Sequence, residues 1–308
     1  MADKIKVNSH IKESVPRRIF IVFNTVLLIL LSFVFLAPYV NILAKSLNAA
    51  SDTALGGVTF WPRDFTWDNF DVVINDASTW TGLKVTIARV VIGSLFSLLI
   101  TYCAAYALLK KQLWGRGIIV AILTVPMFIS GGVVANYIVY AKLNLYDTFA
   151  VYIFPTSFSF FNMVIIRTFL GTIPESLKES ARLDGANEFQ VLYKIVIPLS
   201  MPIIATILLW NVVGHWNDWT TTLYYINSPQ LYTLQYNLQI ALKETSKVQQ
   251  MIADAIASGR PLGDIDYNIT GESIQSAQII FSTLPIVMVY PFLQKYFIKG
   301  VMIGGVKE

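Results

Sequence analysis

Apolar residues dominate the chain in six long runs, and polar residues gather between them. The runs cover about residues 19–44, 84–109, 117–141, 148–170, 200–226 and 273–297. A helix needs about 20 mainly apolar residues to cross a hydrocarbon layer about 30 Å thick. The pattern therefore predicts an all-α membrane protein with six transmembrane helices. Two long polar stretches, 45–80 and 227–272, and a short turn, 142–147, fall on one side of this arrangement. On the other side lie a basic N-terminal tail, 1–18, a charged loop, 171–199, and a short C-terminal tail, 300–308. The first run is too long for a signal-peptide core and lacks a small-residue cleavage site, so it reads as a retained span. No internal repeat is visible, and residues 19–299 read as one membrane domain.

The charged loop has its own pattern. Pro174 suits a helix start, where its missing N–H costs nothing. Glu175/Lys178 and Glu179/Arg182 are i,i+3 pairs of opposite charge, expected on one exposed side. Leu177 and Ala181 share another side. Asp184-Gly185 should break the helix, because glycine accepts a left-handed end conformation. Asn187, with Gln190 three residues on, has the spacing of a capping box and predicts a second short helix. Pro198 marks its junction with the next apolar run.

Composition agrees with the membrane reading. Hydrophobic residues make up 55% of the 308 and charged residues only 14%, against about 25% charged in a soluble domain. The net charge is +4, and its placement matters more than its size. With the N-terminus inside, 15 of the 23 basic residues fall on the inner side and 8 on the outer. That bias predicts cytoplasmic termini and a cytoplasmic charged loop. No basic stripe with interleaved aromatics appears, which argues against nucleic acid as a partner. The one cysteine, Cys103, excludes an internal disulfide and is expected to be a small buried residue.

Candidate chemistry is sparse. No G-x-x-x-x-G-K-[ST] phosphate cradle and no G-x-S-x-G elbow occurs. Two histidines are too few for a histidine metal cluster. A catalytic role therefore has no constellation to rest on, and any ATP must be bound by a partner. The fifth run is the most polar of the spans, with Asn211, His215, Trp216, Asn217, Asp218 and Trp219. Ionisable residues in a span usually face the bundle interior or water. Rings beside amide and carboxylate groups suit a sugar, whose C–H face packs on a ring while its hydroxyls hydrogen-bond. Trp216 and Trp219 also fit an aromatic belt at the outer interface. Asn217 and Asp218 read as lining a wet cavity, and His215 could share a face with Asp218. Phe158 and Asn162, four apart in the fourth run, are further pathway candidates. Ser130-Gly131-Gly132 and Pro126 are read as loosening the third span, with close helix packing as the simplest role. Arg89 is expected to snorkel to the outer interface.

Glu179-Ser180-Ala181, then Gly185, then Ile195-Val196-Ile197-Pro198, match in spacing the EAA loop of ABC-importer permeases. Ser180 stands where that pattern has Ala, and Ile197 where it has Leu. The end of the chain, with Gly300, Gly304, Val306 and Lys307, resembles carbohydrate-type permeases of the maltose-permease kind. His215–Trp219, Leu234-Gln235 and Ser130-Gly131-Gly132 resemble the LplC-like subgroup, which imports oligosaccharides and polysaccharide fragments. The resemblance implies a type I importer permease in a bacterial cytoplasmic (inner) membrane. It implies four kinds of partner: a homologous second permease, two ATP-binding cassette subunits that hold ATP and Mg, an extracellular solute-binding protein, and a carbohydrate cargo. It gives Glu179, Ser180, Ala181, Arg182, Asp184 and Gly185 a role in coupling to an ATPase subunit. A permease for a non-sugar cargo and a stand-alone secondary transporter, with Asp218 and His215 as a proton relay, are the alternatives.

Overall fold

The computed structural model describes residues 14–110, 112–244, 246 and 271–305. The tail 1–13, residues 247–270 of the polar stretch 227–272, and Val306 and Lys307 of the C-terminal pattern lie outside the described residues. Within them the chain is helical, and the one β contact is an isolated antiparallel bridge between Asn48 and Phe65.

Three described helices run unbroken for more than 30 residues: the first, the fourth and the last of the chain. α1, Val15–Ser46, has 32 residues and is exposed along nearly all its length, burying only Ala44 and Ser46. Its surface is Ile, Leu, Val and Phe, which suits lipid contact. α4, Ala77–Leu109, is opened by Asp76, whose carboxylate accepts from Ser78 N at 2.8 Å. α4 is central. It buries a run of small and polar residues, including Thr79, Gly82, Thr86, Arg89, Gly93, Ser94, Ser97 and Thr101. Apolar side chains gain little by leaving lipid for a bundle, so small residues that admit close approach mark the packed face. Cys103 lies outside that face and is exposed, contrary to expectation.

Between α1 and α4 the polar stretch 47–76 folds back on itself through α2, Ala50–Ala54, and α3, Asp68–Asn75. Asn48 organises it: its Oδ1 accepts from Arg63 N and Asp64 N at 2.7 and 2.8 Å, and its Nδ2 donates to Asp52 and Thr53.

The third, fourth and fifth apolar runs are not continuous spans. The third divides into α5, Arg116–Phe128, and α6, Gly132–Lys142, bent by 120°. Gly132 sits at φ +73° with open space where a Cβ would be, so backbone freedom rather than close packing accounts for this glycine. In the fourth run only α7, Phe160–Leu170, is an α-helix, capped by Ser159. A 3-10 turn, Phe149–Tyr152, precedes it, and Pro155 stands in the irregular link between them. After the charged loop, with its helices α8, Glu175–Leu183, and α9, Glu188–Leu199, the fifth run opens as α10, Met201–Asn217. α9 and α10 meet at 78° through Ser200. α10 stops at Asp218, and a separate α11, Thr220–Tyr225, follows. A 3-10 turn at Pro229–Leu231 and α12, residues 234–244, lead outward. The last helix, α13, Glu272–Gly305, runs past the expected end of the sixth span. By length and composition, two described helices are able to cross a bilayer, or up to four if each bent pair counts as one.

The core lies between α4, α7 and the α9–α10 arm. Tyr102, Ala105, Met163, Ile166, Leu170, Val191, Val196, Ile203 and Ile207 form one buried cluster. α13 packs on α1 and α10. The core thus holds the arm leaving the charged loop directly against α4.

Candidate functional site

The charged loop is a helical hairpin with both of its local signals in place. At the end of α8, Ala186 N bonds to Ala181 O at 2.9 Å and Gly185 N to Arg182 O at 3.0 Å. Those two bonds, with Gly185 at φ +84°, make a complete Schellman end. Open space surrounds the position of a Gly185 Cβ, so glycine is required there by dihedral angle alone. Asn187 and Gln190 form the reciprocal capping box, each bond 2.9 Å long. α9 then widens into a π turn over Leu192–Val196, a feature frequent at functional sites.

The expected charge pairs are partly rearranged. Glu175 does bond Lys178, at 2.8 Å, but the lysine side chain is buried, not exposed. Arg182 pairs with Glu175 at 3.4 Å and Glu188 at 3.1 Å instead of Glu179, because the Schellman turn brings α9 back beside it. Glu188 is the hub. It also meets Lys110 at 3.0 Å and accepts from Tyr106 Oη at 3.1 Å. The Lys110 hydrogen bond is the largest influence holding the Glu188 carboxyl below the ordinary glutamate range. Lys178 does the same for Glu175. The network fastens the hairpin to the end of α4.

Glu179 is exposed and forms no ion pair among the described residues. It lines a groove of about 850 Å³ between the α4 end and α8, with Tyr106, Lys110, Pro174 and Arg182. Beyond the groove the hairpin exposes Leu183, Phe189 and Tyr193 at 88%, 77% and 68%. Apolar side chains this open on a charged hairpin mark a contact surface. The sequence carried the signal as apolar residues set among charges, yet reading the hairpin only for its charges and turns missed these three.

The fifth-run candidates separate into two groups. Asn162 on α7 and Asn211 on α10 come together, Asn162 Nδ2 donating to Asn211 Oδ1 at 3.3 Å. Beside them Phe161 and Trp210 lie nearly parallel, with ring centroids 6.3 Å apart and both rings partly exposed. Phe158 packs against the core edge, and Asn217 is exposed at the α10 end.

His215, Trp216 and Asp218 are engaged internally. The His215 ring lies against Gly93 of α4. Trp216 is buried rather than part of an interfacial belt, and its Nε1 donates to Ser282 O at 3.1 Å. Asp218 ion-pairs with Arg89, whose side chain is 1% exposed. Arg89 therefore does not snorkel. A carboxylate 129 residues away pairs with its Nη2, a partner no sequence window can reveal.

A family model described as "Binding-protein-dependent transport system inner membrane component" matches residues 93–303. The chain is 34% identical over 292 residues to Protein LplC of Bacillus subtilis (strain 168), covering 94% of this chain and 95% of that protein. It is 31% identical over 280 residues to the polygalacturonan/rhamnogalacturonan transport system permease protein YtcP of the same strain, covering 91% and 95%. Among solved structures it resembles a chain of a bacterial ABC transporter involved in the import of the acidic polysaccharide alginate. There the TM-score is 0.81 at 28% identity, covering 92% of this chain and 99% of that one.

Proposed function

The chain belongs to the family of binding-protein-dependent transport system inner membrane components, and on that premise we propose that it is the permease half of an ATP-driven oligosaccharide importer. It would line the pathway together with a second, homologous permease. Two ATPase subunits, which carry the ATP and Mg, would dock beneath, one of them on the hairpin of α8 and α9. A solute-binding protein would deliver cargo from outside.

The hairpin carries this reading. Glu179 has no ion pair among the described residues and lines a groove, the apolar trio Leu183, Phe189 and Tyr193 is open, and Glu188 ties the hairpin to α4. A surface so built receives a partner and passes its movement inward. Ser180, Ala181, Arg182, Asp184 and Gly185 shape that surface. The absence of a phosphate cradle in the sequence gives it work to receive. Six membrane crossings with cytoplasmic termini fit the basic-residue bias, the broken helices crossing as bent pairs.

Oligosaccharide cargo is supported by the names of the relatives and by the Asn162–Asn211 amides next to the Phe161 and Trp210 rings. Asn217 and Phe158 complete the pathway candidates. A gradient-driven transporter would want a carboxylate free to exchange protons, and Asp218 is held by Arg89.

The test is reconstitution with the partner subunits and binding protein. Gly185→Val strains a φ of +84°, and Glu179→Lys reverses the side chain's charge. Each is expected to assemble, yet to lose most binding-protein-stimulated ATPase activity and uptake. Full activity in both variants would remove the hairpin from the coupling path.

A further inference from the structure

The segment from the hairpin to the outer loop lies along α4 and meets it at successive levels. Glu188 meets Lys110 and Tyr106. Ser200, at the 78° bend, shares a 2.6 Å hydrogen bond with Tyr102. His215 fills the space above Gly93. Asp218 meets Arg89. Leu234 N donates to Thr86 Oγ at 2.9 Å. Above Ser200 the first interruption of the arm is at Asp218-Trp219, between α10 and α11; a second follows α11, where the 3-10 turn Pro229–Leu231 leads to α12. A helix transmits displacement through its own hydrogen-bond ladder, and at the first interruption the ladder stops.

Arg89 occupies that gap. Its Nη1 donates to Asp218 O at 2.8 Å while Nη2 pairs with the carboxylate. The other carboxylate oxygen accepts from Thr220 N and Thr221 N at 2.9 and 3.1 Å, fixing the start of α11. The guanidinium also lies 4.6 Å from the Tyr152 ring centroid. Tyr152 Oη donates to Leu231 O at 2.7 Å and shares a 2.8 Å bond with Thr222. One cation thereby joins α4, the end of α10, the start of α11 and, through Tyr152, the outer turn. A well-packed apolar cluster would stabilise such a junction at least as well as a buried ion pair. What the pair adds is a directional connection in place of the missing ladder.

We propose that Arg89 is a positioning residue that acts through Asp218 to carry displacement of the hairpin across the interruption to the outer segment 220–244. This rests on the hairpin being the ATPase contact. Without the pair, α9 and α10 move with the hairpin, and the outer segment no longer follows.

The test uses the full complex with its partner subunits and binding protein, and needs no identified cargo. Spin-label distances are measured with and without ATP plus vanadate. One label pair, Ile19 and Ser180, reads hairpin movement; the other, Leu55 and Gln230, reads the outer segment. In the otherwise unaltered complex both distances shift. In Arg89→Gln and Asp218→Asn the inner shift persists and the outer shift is lost. The exchanged pair, Arg89→Asp with Asp218→Arg, regains the outer shift. An outer shift that survives in both single variants overturns the proposal, as does joint loss of both shifts, which would mark a merely structural pair. If the complex without these substitutions shows no inner shift, the hairpin reading fails instead.

Discussion

Gly93 shows how much one missing methyl group decides. A Cβ built there would stand 2.7 Å from His215 Cε1 and Nε2, closer than real atoms approach. The ring has no easy retreat, because His215 is only 6% exposed. Gly93→Ala is expected to destabilise the protein by about 1–3 kcal/mol, the usual cost of overpacking. In a His215→Ala background that penalty should shrink to less than about 0.5 kcal/mol, since the two sites share one space. Thermal unfolding of the four proteins in detergent checks this, and equal penalties in both backgrounds would refute the contact. From the sequence, Gly93 is an ordinary glycine in an apolar run and His215 an unexplained polar residue. Their meeting spans over a hundred positions, so neither could be interpreted alone.

At the scale of elements, the hairpin was the most legible part of the chain. Its instructions are local: a proline before the first helix, a glycine in the turn, and an amide pair three residues apart. Its attachment to α4 was not legible, because Lys110 and Tyr106 reach Glu188 only in the folded chain. This attachment sets a pH dependence. Glu175 and Glu188 are held below the ordinary glutamate value of 4.5. Their contribution is therefore fully present above that value and is lost as pH falls through the lowered folded values. Both side chains are about half exposed, and each pair contributes only about 0.2–1 kcal/mol. Hydrogen exchange of the hairpin amides, corrected for intrinsic rates, should be flat from pH 8 to pH 5 and rise only in more acid solution. Protection lost near neutrality would point to a different anchor. The broken runs carry the opposite lesson. Their apolar content predicted crossing, while Gly132, Pro155 and Asp218 each interrupt the helical ladder inside it.

The whole molecule is organised by which surfaces stay uncovered. α1 is bare along most of its length, and α5 and α6 bury no residue. Such surfaces suit lipid rather than water, and on the proposed function they also offer room for a second permease. The proposed orientation puts the hairpin inside and the 143–148 and 226–230 segments, joined through Asp147 and Ser228, outside. With Cys103 replaced by serine, a cysteine at Ser180 in intact cells is expected to resist a membrane-impermeant maleimide, and one at Gln230 to react. The reverse labelling would invert the topology and separate the hairpin from any cytoplasmic ATPase.

By itself the sequence determined that the chain belongs in a membrane, where its polar segments lie, and how the hairpin turns. Those outcomes follow from side-chain transfer energies and from dihedral preferences a few residues wide. Only the tertiary structure decided which polar residues meet one another. Asn162 and Asn211 stay beside partly exposed rings, whereas Asp218, His215 and Trp216 are consumed by Arg89, Gly93 and Ser282. The reason is the cost of burying an unpaired polar group. It forces partners together across the bundle, and which partners are within reach is a property of the fold alone.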